Sequence, residues 1–379
     1  MQRRNFLQTL ALTAASGAIS HRAQSQITPR DPTIEMPDPV AFFGPNQTIR
    51  GVNLGGWLLL EKWIAPAVFD GIKAPDEFRF SLDDGGIQRL REHRESFITD
   101  ADFRWIAERG LNAVRLPVGY WILEGDQSYI AAPDILDRAF GWAQKYGLGV
   151  LLDLHGAPGS QNGRDHSGRN GPLEWTSEAN IARTIDVLES FAKRYGRHPN
   201  LIGLELLNEP SVHLPLDVIT DFSARAIARV RPHLAPAVSI VMHDAFRPYD
   251  WKEFAATAPP NTLLDTHPYQ CYSDDDKKRD FKAHVEKAAI GRAQLLNEMQ
   301  KQLPTIVGEW SLCLRGPGVD SSSDFLKELG YRAYAAAQLL SYETSRGWFF
   351  WTYKTQSRPE WSLRDCVERG WMPDSFASN

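Results

Sequence analysis

The sequence has little of three features that would each point to a particular class of protein. Its 379 residues include only three cysteines, Cys271, Cys313 and Cys366, so at most one disulfide can form and neither a disulfide framework nor a zinc site is indicated. Lys and Arg number 42 against 47 Asp and Glu, a formal charge of −5, which argues against a nucleic-acid binder. Beyond the N-terminus no apolar run is long enough to suggest a membrane span.

Aromatic residues, by contrast, are abundant. The chain has 12 Trp, 11 Tyr and 18 Phe, and such side chains serve first as large apolar groups of the core and only sometimes as surfaces on which sugars stack. Apolar residues make up 42% and charged residues 23% of the sequence, which is typical of a globular protein rather than a disordered one. A chain of this length can bury a large core.

The N-terminus has the pattern of an export signal. Residues 1–26 begin with Arg3 and Arg4, continue through a short apolar run and end near the small residues Ala23-Gln24-Ser25, which is typical of a cleaved twin-arginine signal. A membrane anchor is the alternative, but the run of about a dozen residues is shorter than the roughly 20 that a span needs. Cleavage would remove three Arg and leave a charge of 39 − 47 = −8. We therefore expect a mildly acidic protein in the periplasm or outside the cell.

Strand-like and helix-like segments alternate along the rest of the chain. Short apolar runs predict eight strands, at 51–54, 113–116, 149–154, 202–207, 238–242, 263–267, 305–309 and 347–352. Longer amphipathic stretches predict helices, among them 135–146, 177–195, 216–230, 280–302 and 324–344. Apolar strands that alternate with helices favour a parallel sheet, and eight of them favour a closed (β/α)8 TIM barrel. No Gly-x-Gly-x-x-Gly follows an early strand, which argues against a dinucleotide-binding fold.

No linker or low-complexity block divides this series of segments. We therefore expect a single α/β domain over residues 49–379, preceded by a Pro-rich lead-in over residues 27–48. The charged segment 273–280 is expected to be a solvated loop. The protein is expected to be a monomer.

Polar side chains follow several of the predicted strands. In a TIM barrel the residues that perform chemistry lie at the C-terminal ends of the strands, so Glu209 after the fourth strand and Glu309 at the end of the seventh would face each other across one opening. Two carboxyl groups across a cleft are the minimum equipment for glycoside hydrolysis. A Glu at a strand end is more often a surface residue, and it is the convergence with Arg115, His155 and Tyr269 that favours catalysis.

Five motifs occur in order along the chain. They are RGVNLGGW at 50–57, LNAVRLPVGYW at 111–121, LDLHGAPGSQNG at 152–163, LLNEP at 206–210 and GEW at 308–310. The series resembles glycoside hydrolase family 5, and more narrowly its exo-β-1,3-glucanase branch. The resemblance extends over about residues 50–371, and it implies the same barrel that the alternation of strands and helices predicts.

The resemblance also implies a role for each matching residue. Glu209 would be the acid/base and Glu309 the nucleophile of a retaining double displacement, with their carboxyl groups about 5 to 5.5 Å apart. Arg115 would keep Glu309 ionised. His267 and Tyr269 would orient the two carboxyl groups. Asn208, His155 and Trp351 would bind the sugar, and Glu61 and Trp57 would close the non-reducing end. Apart from these roles, Asn162 in the loop after the third strand is a candidate sugar contact, Tyr272 lies at the entrance, and Trp310 and Trp361 are further candidates for the pocket.

The implied activity is release of glucose from the non-reducing ends of β-glucans, with no cofactor and no metal ion. An endo-β-1,4- or β-1,6-glucanase and a diglycosidase are alternatives on the same site, and a non-catalytic glycan-binding protein is an alternative of another class. At the entrance, Arg164 stands where the fungal exo-glucanases have an aromatic residue, whereas the partner position, Tyr272, is aromatic. A guanidinium can stack on a sugar but can also pair with a charged group.

Overall fold

The eight predicted strands are all present, and they close into a barrel. The computed structural model describes residues 47–126 and 128–377. The strands are β1 Ile49–Asn53, β2 Ala113–Gly119, β3 Gly149–Gly156, β4 Leu201–Glu205, β5 Ser239–His243, β6 Thr262–Asp265, β7 Thr305–Trp310 and β8 Gly347–Phe350. Each strand pairs in parallel with the next, and β8 pairs with β1, for example with Gly51 beside Phe349. The predicted (β/α)8 TIM barrel is confirmed.

Helices connect the strands on the outside of the barrel. They are α1 Glu77–Ser81, α2 Gly86–Ser96, α3 Asp100–Glu108, α4 Pro133–Lys145, α5 Glu178–Tyr195, α6 Leu216–Val230, α7 Lys252–Ala255, α8 Asp274–Lys277, α9 Phe281–Glu286, α10 Arg292–Gln300, α11 Pro317–Asp320, α12 Asp324–Tyr342 and α13 Leu363–Glu368. The long helices α5, α6 and α12 begin and end within two residues of their predicted bounds. Their apolar faces are wide enough to specify them from the sequence alone.

The charged segment 273–280 is not entirely a loop, because it contains helix α8. The Ser273 side chain accepts a hydrogen bond from the backbone N–H of Asp276 and so caps the N-terminus of this helix. The first turn carries Asp274, Asp275 and Asp276, and negative charge is favourable at that end of a helix. The expected solvated loop is therefore wrong for this turn.

The helix predicted over residues 280–302 is interrupted. It consists of α9, a π-helical turn at Lys287–Gly291 and α10. The Ser341 hydroxyl of α12 donates to the Ala288 carbonyl within this turn at 2.6 Å. A contact from a neighbouring helix thus engages a backbone carbonyl at the point where the regular helix is broken.

The predicted export signal, residues 1–26, lies outside the described residues, as does the predicted lead-in except for its last two positions. Within 47–126 and 128–377, no helix is both long and apolar enough to cross a membrane.

The apolar core has an inner and an outer part. Inside the barrel, six buried residues form a cluster: Ala113, Leu151, Val241, Leu263, Ile306 and Phe349. All six lie within the first three positions of their strands. A larger cluster fills the space between strands and helices. Because the N-terminal half of the barrel interior is filled with apolar side chains, the polar groups of the interior are confined to the C-terminal half.

Two of the tryptophans considered for the pocket belong to the core instead. Trp57 is fully buried, its indole N–H donates to the Arg94 carbonyl at 2.8 Å, and its ring stacks on Trp142. Trp310 is also fully buried, with the edge of its ring system packed against Trp348. The expectation that Trp57 and Trp310 contribute to the pocket is wrong.

We expect Trp57→Ala to lower the free energy of unfolding by about 3 to 5 kcal/mol, because it removes a large buried ring and leaves a cavity. Urea unfolding measures this. Leu340→Ala is the control, since Leu340 is 75% exposed and its loss should cost no more than about 0.5 kcal/mol. Similar costs for the two variants would contradict the assignment of Trp57 to the core.

Candidate active site

A cavity of about 850 Å³ opens at the C-terminal ends of the strands. Ten of the fourteen residues predicted for the site or its pocket line it: Glu61, His155, Asn162, Glu209, His267, Tyr269, Tyr272, Glu309, Trp351 and Trp361. Two more, Arg115 and Asn208, are fully buried and hydrogen-bond to each other at 2.9 Å. The fold therefore brings these twelve residues to one end of the barrel, and only Trp57 and Trp310 belong to the core instead.

Arg115 lies at the centre of a buried network of charged groups. Its guanidinium donates two hydrogen bonds to Glu205, of 2.7 and 3.0 Å, and lies 3.1 Å from both Asp153 and Glu309. Burial would lower the pKa of Arg115, but the charges of Asp153 and Glu205 raise it well above its usual value. Strands β2, β3, β4 and β7 are thus joined through one cation inside the barrel.

Asp153 and Glu205 are fully buried beside this cation. Burial raises the pKa of Asp153 to about 7 and that of Glu205 to about 8, although the charge of Arg115 opposes both shifts. The charge of Arg115 therefore limits the rise in pKa that burial imposes on these two carboxyl groups. Sequence reasoning missed Glu205. The available signal was an acidic residue at the end of an otherwise apolar strand, β4.

The carboxyl groups of Glu209 and Glu309 both contact one histidine. Nδ1 of His267 lies 2.7 Å from Oε1 of Glu209 and 3.5 Å from Oε2 of Glu309. These two oxygens are therefore at most 6.2 Å apart, the sum of the two distances. The Tyr269 hydroxyl donates to Oε2 of Glu309 at 2.9 Å, and Nε2 of His267 lies 3.3 Å from Asp265.

The two carboxyl groups titrate as a pair. Burial, together with the charge of Glu209, raises the pKa of Glu309 to about 8, although His267 and Arg115 oppose the shift. Burial also disfavours the Glu209 carboxylate, but the hydrogen bond and the charge of His267 outweigh it and lower the pKa of Glu209. Burial disfavours the His267 cation, and the charges of Glu309 and Asp265 more than offset this and raise its pKa. In the free site the pair therefore keeps one proton up to about pH 8.

Glu209 is held in an uncommon backbone conformation and has a second imidazole beside it. Its φ is 40°, in the left-handed region that few residues other than glycine adopt. The Asn162 side chain donates to the Glu209 carbonyl at 3.1 Å. Nε2 of His166 lies 3.6 Å from Oε2 of Glu209, the oxygen that His267 does not contact. Sequence reasoning missed His166, because it lies in the short 3-10 helix Asp165–Ser167, where no periodic pattern singles it out.

His155 and Trp351 adjoin one another in the cavity wall. Their rings are parallel, with centroids 5.3 Å apart. Nδ1 of His155 lies 2.6 Å from Asp153, and Nε2 lies 3.4 Å from the Asn208 amide nitrogen. Burial and the charge of Arg115 lower the pKa of His155 well below its usual value. The imidazole is therefore neutral and presents Nε2 as a hydrogen-bond acceptor.

On one side of the cavity, the segment after β1 is joined to the segment after β8. The Trp63 indole N–H donates to Glu61 at 2.9 Å, and the Trp63 ring packs edge-on against Trp361 at 5.2 Å. The backbone N–H of Gln356 donates to the Ile64 carbonyl at 3.0 Å. Burial raises the pKa of Glu61 well above its usual value. These contacts join the two segments into one wall of the cavity.

The entrance of the cavity is lined by more exposed side chains. Tyr272 is 58% exposed and packs edge-on against Tyr269. Arg164 is exposed and also lines the cavity. Phe246, which sequence reasoning did not select, is 45% exposed and has a φ of 58°. A strained backbone that presents an exposed ring to a cavity is often found at functional sites.

Among residues 47–126 and 128–377, two groups of side chains are close enough together to be considered as metal ligands. Glu209, His243 and His267 form one group, and Glu205, Asp265 and His267 form the other. Both groups need His267, whose two ring nitrogens already face Glu209 and Asp265. Nδ1 of His243 accepts a backbone hydrogen bond, so its other ring nitrogen carries the proton in the neutral form. Hydrogen bonding accounts for both groups, and we assign no metal ion to them.

A closed parallel barrel with two facing carboxyl groups at its strand ends is the architecture of a glycosidase. Comparison with known proteins identifies the family within this class. The family model for cellulase (glycosyl hydrolase family 5) matches residues 82–357, and the chain belongs to this family.

Individual relatives extend over most of the chain. The probable glucan 1,3-beta-glucosidase A of Aspergillus niger is 34% identical over 377 residues, which cover 88% of this chain and 89% of that protein. The glucan 1,3-beta-glucosidase of Blumeria graminis is 36% identical, with 89% and 90% covered. The crystal structure of rutinosidase from Aspergillus niger has a TM-score of 0.70 at 20% identity, covers 86% of this chain and 97% of its own, and shares the fold. The resemblance inferred from the five motifs is confirmed.

We expect Arg115→Met to lower the free energy of unfolding by about 3 to 5 kcal/mol at neutral pH, because Asp153 and Glu205 lose the cation between them. These groups ionise near pH 7 and 8 in the unaltered protein, and without the cation their pKa rises further. The variant therefore loses more stability as the pH rises through this range, so the deficit should be larger at about pH 9 than at about pH 6.

Urea unfolding at the two pH values measures this deficit. Arg104→Met is the matched control, because Arg104 lies 3.8 Å from Glu108 and both side chains are more than half exposed, and its effect should stay within about 0.5 kcal/mol. A deficit for Arg115→Met that does not change with pH would contradict the ionisation of the two buried carboxyl groups.

Proposed function

We propose that the protein is a retaining β-glucanase that acts on β-1,3 linkages and releases glucose from non-reducing ends. The observation that carries this proposal is the shared contact with His267, which limits the two facing oxygens of Glu209 and Glu309 to a separation of 6.2 Å. Retaining glycosidases hold their carboxyl groups about 5 to 5.5 Å apart, and inverting ones about 6.5 to 9.5 Å. The names of the relatives from Aspergillus niger and Blumeria graminis support the β-1,3 linkage.

In the proposed mechanism Glu309 attacks the anomeric carbon of the sugar. Arg115 donates to one of its oxygens at 3.1 Å and Tyr269 to the other at 2.9 Å, and both contacts favour the carboxylate over the acid. When the bond to the sugar forms, Glu309 loses its charge. Arg115 still has Glu205 and Asp153 as partners, so no buried cation is left unpaired in the intermediate.

Glu209 acts first as the acid and then as the base. The pair holds one proton, and the transfer of this proton from Glu309 to Glu209 leaves the total charge of the site unchanged, with Nδ1 of His267 in contact with both groups. In the free site His267 favours the Glu209 carboxylate, whereas a leaving oxygen that accepts a hydrogen bond from Glu209 favours the acid. Glu209 then protonates that oxygen, and in the second step it accepts a proton from the attacking water.

We assign the reacting sugar to the surface formed by Trp351 and His155, since an indole face suits the C–H face of a glucose ring. Asn208 binds the 2-hydroxyl, a contact that strengthens as the oxocarbenium-like state develops. The His155 ring lines the same subsite, and its Nε2 faces the Asn208 amide. Glu61, beside the wall formed with Trp63, binds the hydroxyls at the non-reducing end.

Exo action is supported by the wall between the segments after β1 and β8. Gln356 joins these segments through its backbone N–H and through its side-chain oxygen, which accepts from the Ala67 N–H at 2.9 Å. Trp63 and Trp361 pack together in the same wall. A glucan that extended beyond the non-reducing end would collide with this wall, so only a terminal glucose can occupy the site.

On the opposite side, we assign the next glucose unit to Tyr272, whose exposed ring offers a stacking surface. Asn162 donates to the Glu209 carbonyl and accepts from the backbone N–H of Arg164. Its amide therefore orders the loop at the entrance, and its remaining capacity for hydrogen bonds is available to the sugar. The Arg164 guanidinium can stack on the same unit.

We further propose that residues 1–26 are a twin-arginine signal, that residues 27–48 lead into a catalytic domain over residues 49–379, and that the mature chain acts as a monomer in the periplasm or outside the cell. The paired arginines and short apolar run support the route. A polymeric substrate that cannot cross a membrane supports the destination.

Hydrolysis of laminarin tests the proposed activity. We expect glucose as the first product, released in the β configuration when observed by NMR before mutarotation, without short oligosaccharides at early times. Glu309→Ala should lower kcat by roughly 10³-fold or more, because the nucleophile is lost. Glu124→Ala is the control, since Glu124 is exposed, and it should leave kcat unchanged.

Each alternative has its own outcome in the same assays. Early oligosaccharides from laminarin, pustulan or a soluble cellulose would indicate an endo-glucanase, and an intact disaccharide cleaved from a rutinoside would indicate a diglycosidase. Glucose released in the α configuration, or activity that survives Glu309→Ala, would overturn the retaining mechanism. Tight binding of laminarin without turnover, unchanged by Glu209→Gln, would indicate a glycan-binding protein.

The proton shared by the carboxyl pair predicts the alkaline limit of activity. The pKa of about 8 at Glu309 means that the pair loses its last proton as the pH rises through this value, after which Glu209 has no proton to donate. We therefore expect kcat/KM to fall above about pH 8. Glu209→Gln should remove this fall when the leaving group is a dinitrophenol that needs no protonation. An alkaline limb that persists in Glu209→Gln would show that another group carries the proton.

A further inference from the structure

Two of the three cysteines lie together beside the site. Cys271 follows β6 and Cys313 follows β7, and these strands are neighbours in the barrel. Both side chains are buried, with 0% and 2% exposed, in one small cluster with Ile64, Trp351 and Trp361. Each thiol shifts the pKa of the other. The fold has therefore brought together two thiols that are 42 residues apart (313 − 271) in the sequence.

The third cysteine has a different environment. The Cys366 thiol donates to the Pro359 carbonyl at 3.1 Å, and its side chain packs in the large cluster between strands and helices. All three cysteines are free thiols in the structure. Of the three possible pairs, the contacts single out Cys271 with Cys313.

The two neighbouring thiols are not equivalent. The neighbouring thiol lowers the pKa of Cys313 and raises that of Cys271. The positive charge of Arg315, a side chain exposed at the surface, favours a lower pKa of both thiols. A cationic partner that reaches the surface stabilises a thiolate. Cys313 is therefore the better nucleophile, and Cys271 is the neighbour that can react in a second step.

We propose that Cys271 and Cys313 are a site of reversible disulfide formation, oxidised by thiol–disulfide exchange with a small disulfide or with the disulfide of an oxidoreductase. The Cys313 thiolate attacks one sulfur of the oxidant and releases the other as a thiolate. Cys271 then loses its proton and attacks the Cys313 sulfur, which releases the second thiolate of the oxidant. Two protein thiols are oxidised to one disulfide, and the oxidant is reduced to two thiols.

The bond would connect two segments that carry parts of the candidate active site. Cys271 adjoins Tyr272 at the entrance and lies two residues after Tyr269, which contacts Glu309. Cys313 lies four residues after Glu309 on the other segment. The bridge therefore fixes the segment after β7, which follows Glu309, relative to the segment after β6, which carries the aromatic residues of the entrance. It also restricts the unfolded chain, which stabilises the folded state.

Counting thiols tests the proposal on the full chain. The reduced protein is exposed to oxidised glutathione, once in the folded state and once during refolding, then denatured and alkylated with N-ethylmaleimide. Mass spectrometry should find one alkylated cysteine after oxidation and three before it. Peptide mapping should find a linked pair that contains Cys271 and Cys313. The melting temperature should rise on the order of 5 °C and fall again on addition of dithiothreitol.

Variants of each cysteine serve as matched controls. Cys366→Ser should oxidise like the unaltered protein and retain no alkylated cysteine, whereas Cys313→Ser should retain two and show no rise in melting temperature. Three alkylated cysteines after both oxidation treatments would overturn the proposal. A bridge that contains Cys366, or one that links two chains, would also overturn it. The wild-type thiol count needs no variant, so a folding defect in Cys271→Ser or Cys313→Ser leaves the test intact.

Discussion

The interaction on which the site depends is the compensation of Arg115 inside the barrel. A guanidinium that is removed from solvent is tolerated only when anionic groups surround it. Glu205 and Asp153, on two neighbouring strands, supply these groups, so Arg115 has its partners before any substrate binds. The remaining donors of Arg115 are thereby fixed toward Glu309 and Asn208. A cation held this way requires no reorganisation when charge develops during a reaction. The buried carboxyl groups thus orient the residues that face the cavity.

His267 connects this network to its second half. Its two ring nitrogens contact Glu209 and Asp265, so the protonation of Glu209 depends on a histidine whose own charge depends on a buried aspartate. Arg115 lowers the energy of the Glu309 carboxylate from one side, and His267 lowers that of Glu209 from the other. Arg115 and His267 therefore stabilise the ionised forms of two different carboxyl groups. The position of one proton, rather than the presence of any single residue, decides which of these two groups is the acid.

The sequence predicts the barrel because each strand is a short apolar run and each long helix has an apolar face, and both patterns depend only on local spacing. It also predicts which strand ends carry polar residues, so Glu209 and Glu309 could be selected together with Arg115. Glu205 and His166 could not. Glu205 is an acidic residue at the end of an apolar strand, but only the closed barrel shows that its side chain faces Arg115. His166 lies in an irregular loop whose position relative to Glu209 depends on tertiary contacts.

The tryptophans also show what a local sequence pattern cannot specify. Composition favours the core for most of them, and the match of RGVNLGGW to a known family favours the pocket for Trp57, yet neither pattern specifies the direction of the side chain. That direction depends on Trp142 in α4 and on the Arg94 carbonyl in α2, which both contact Trp57. Trp63, six residues later, instead packs against Trp361 in the cavity wall. Because Gln356 fixes the segment between β1 and α1 to the segment after β8, the division of these rings between core and cavity is a property of two distant segments.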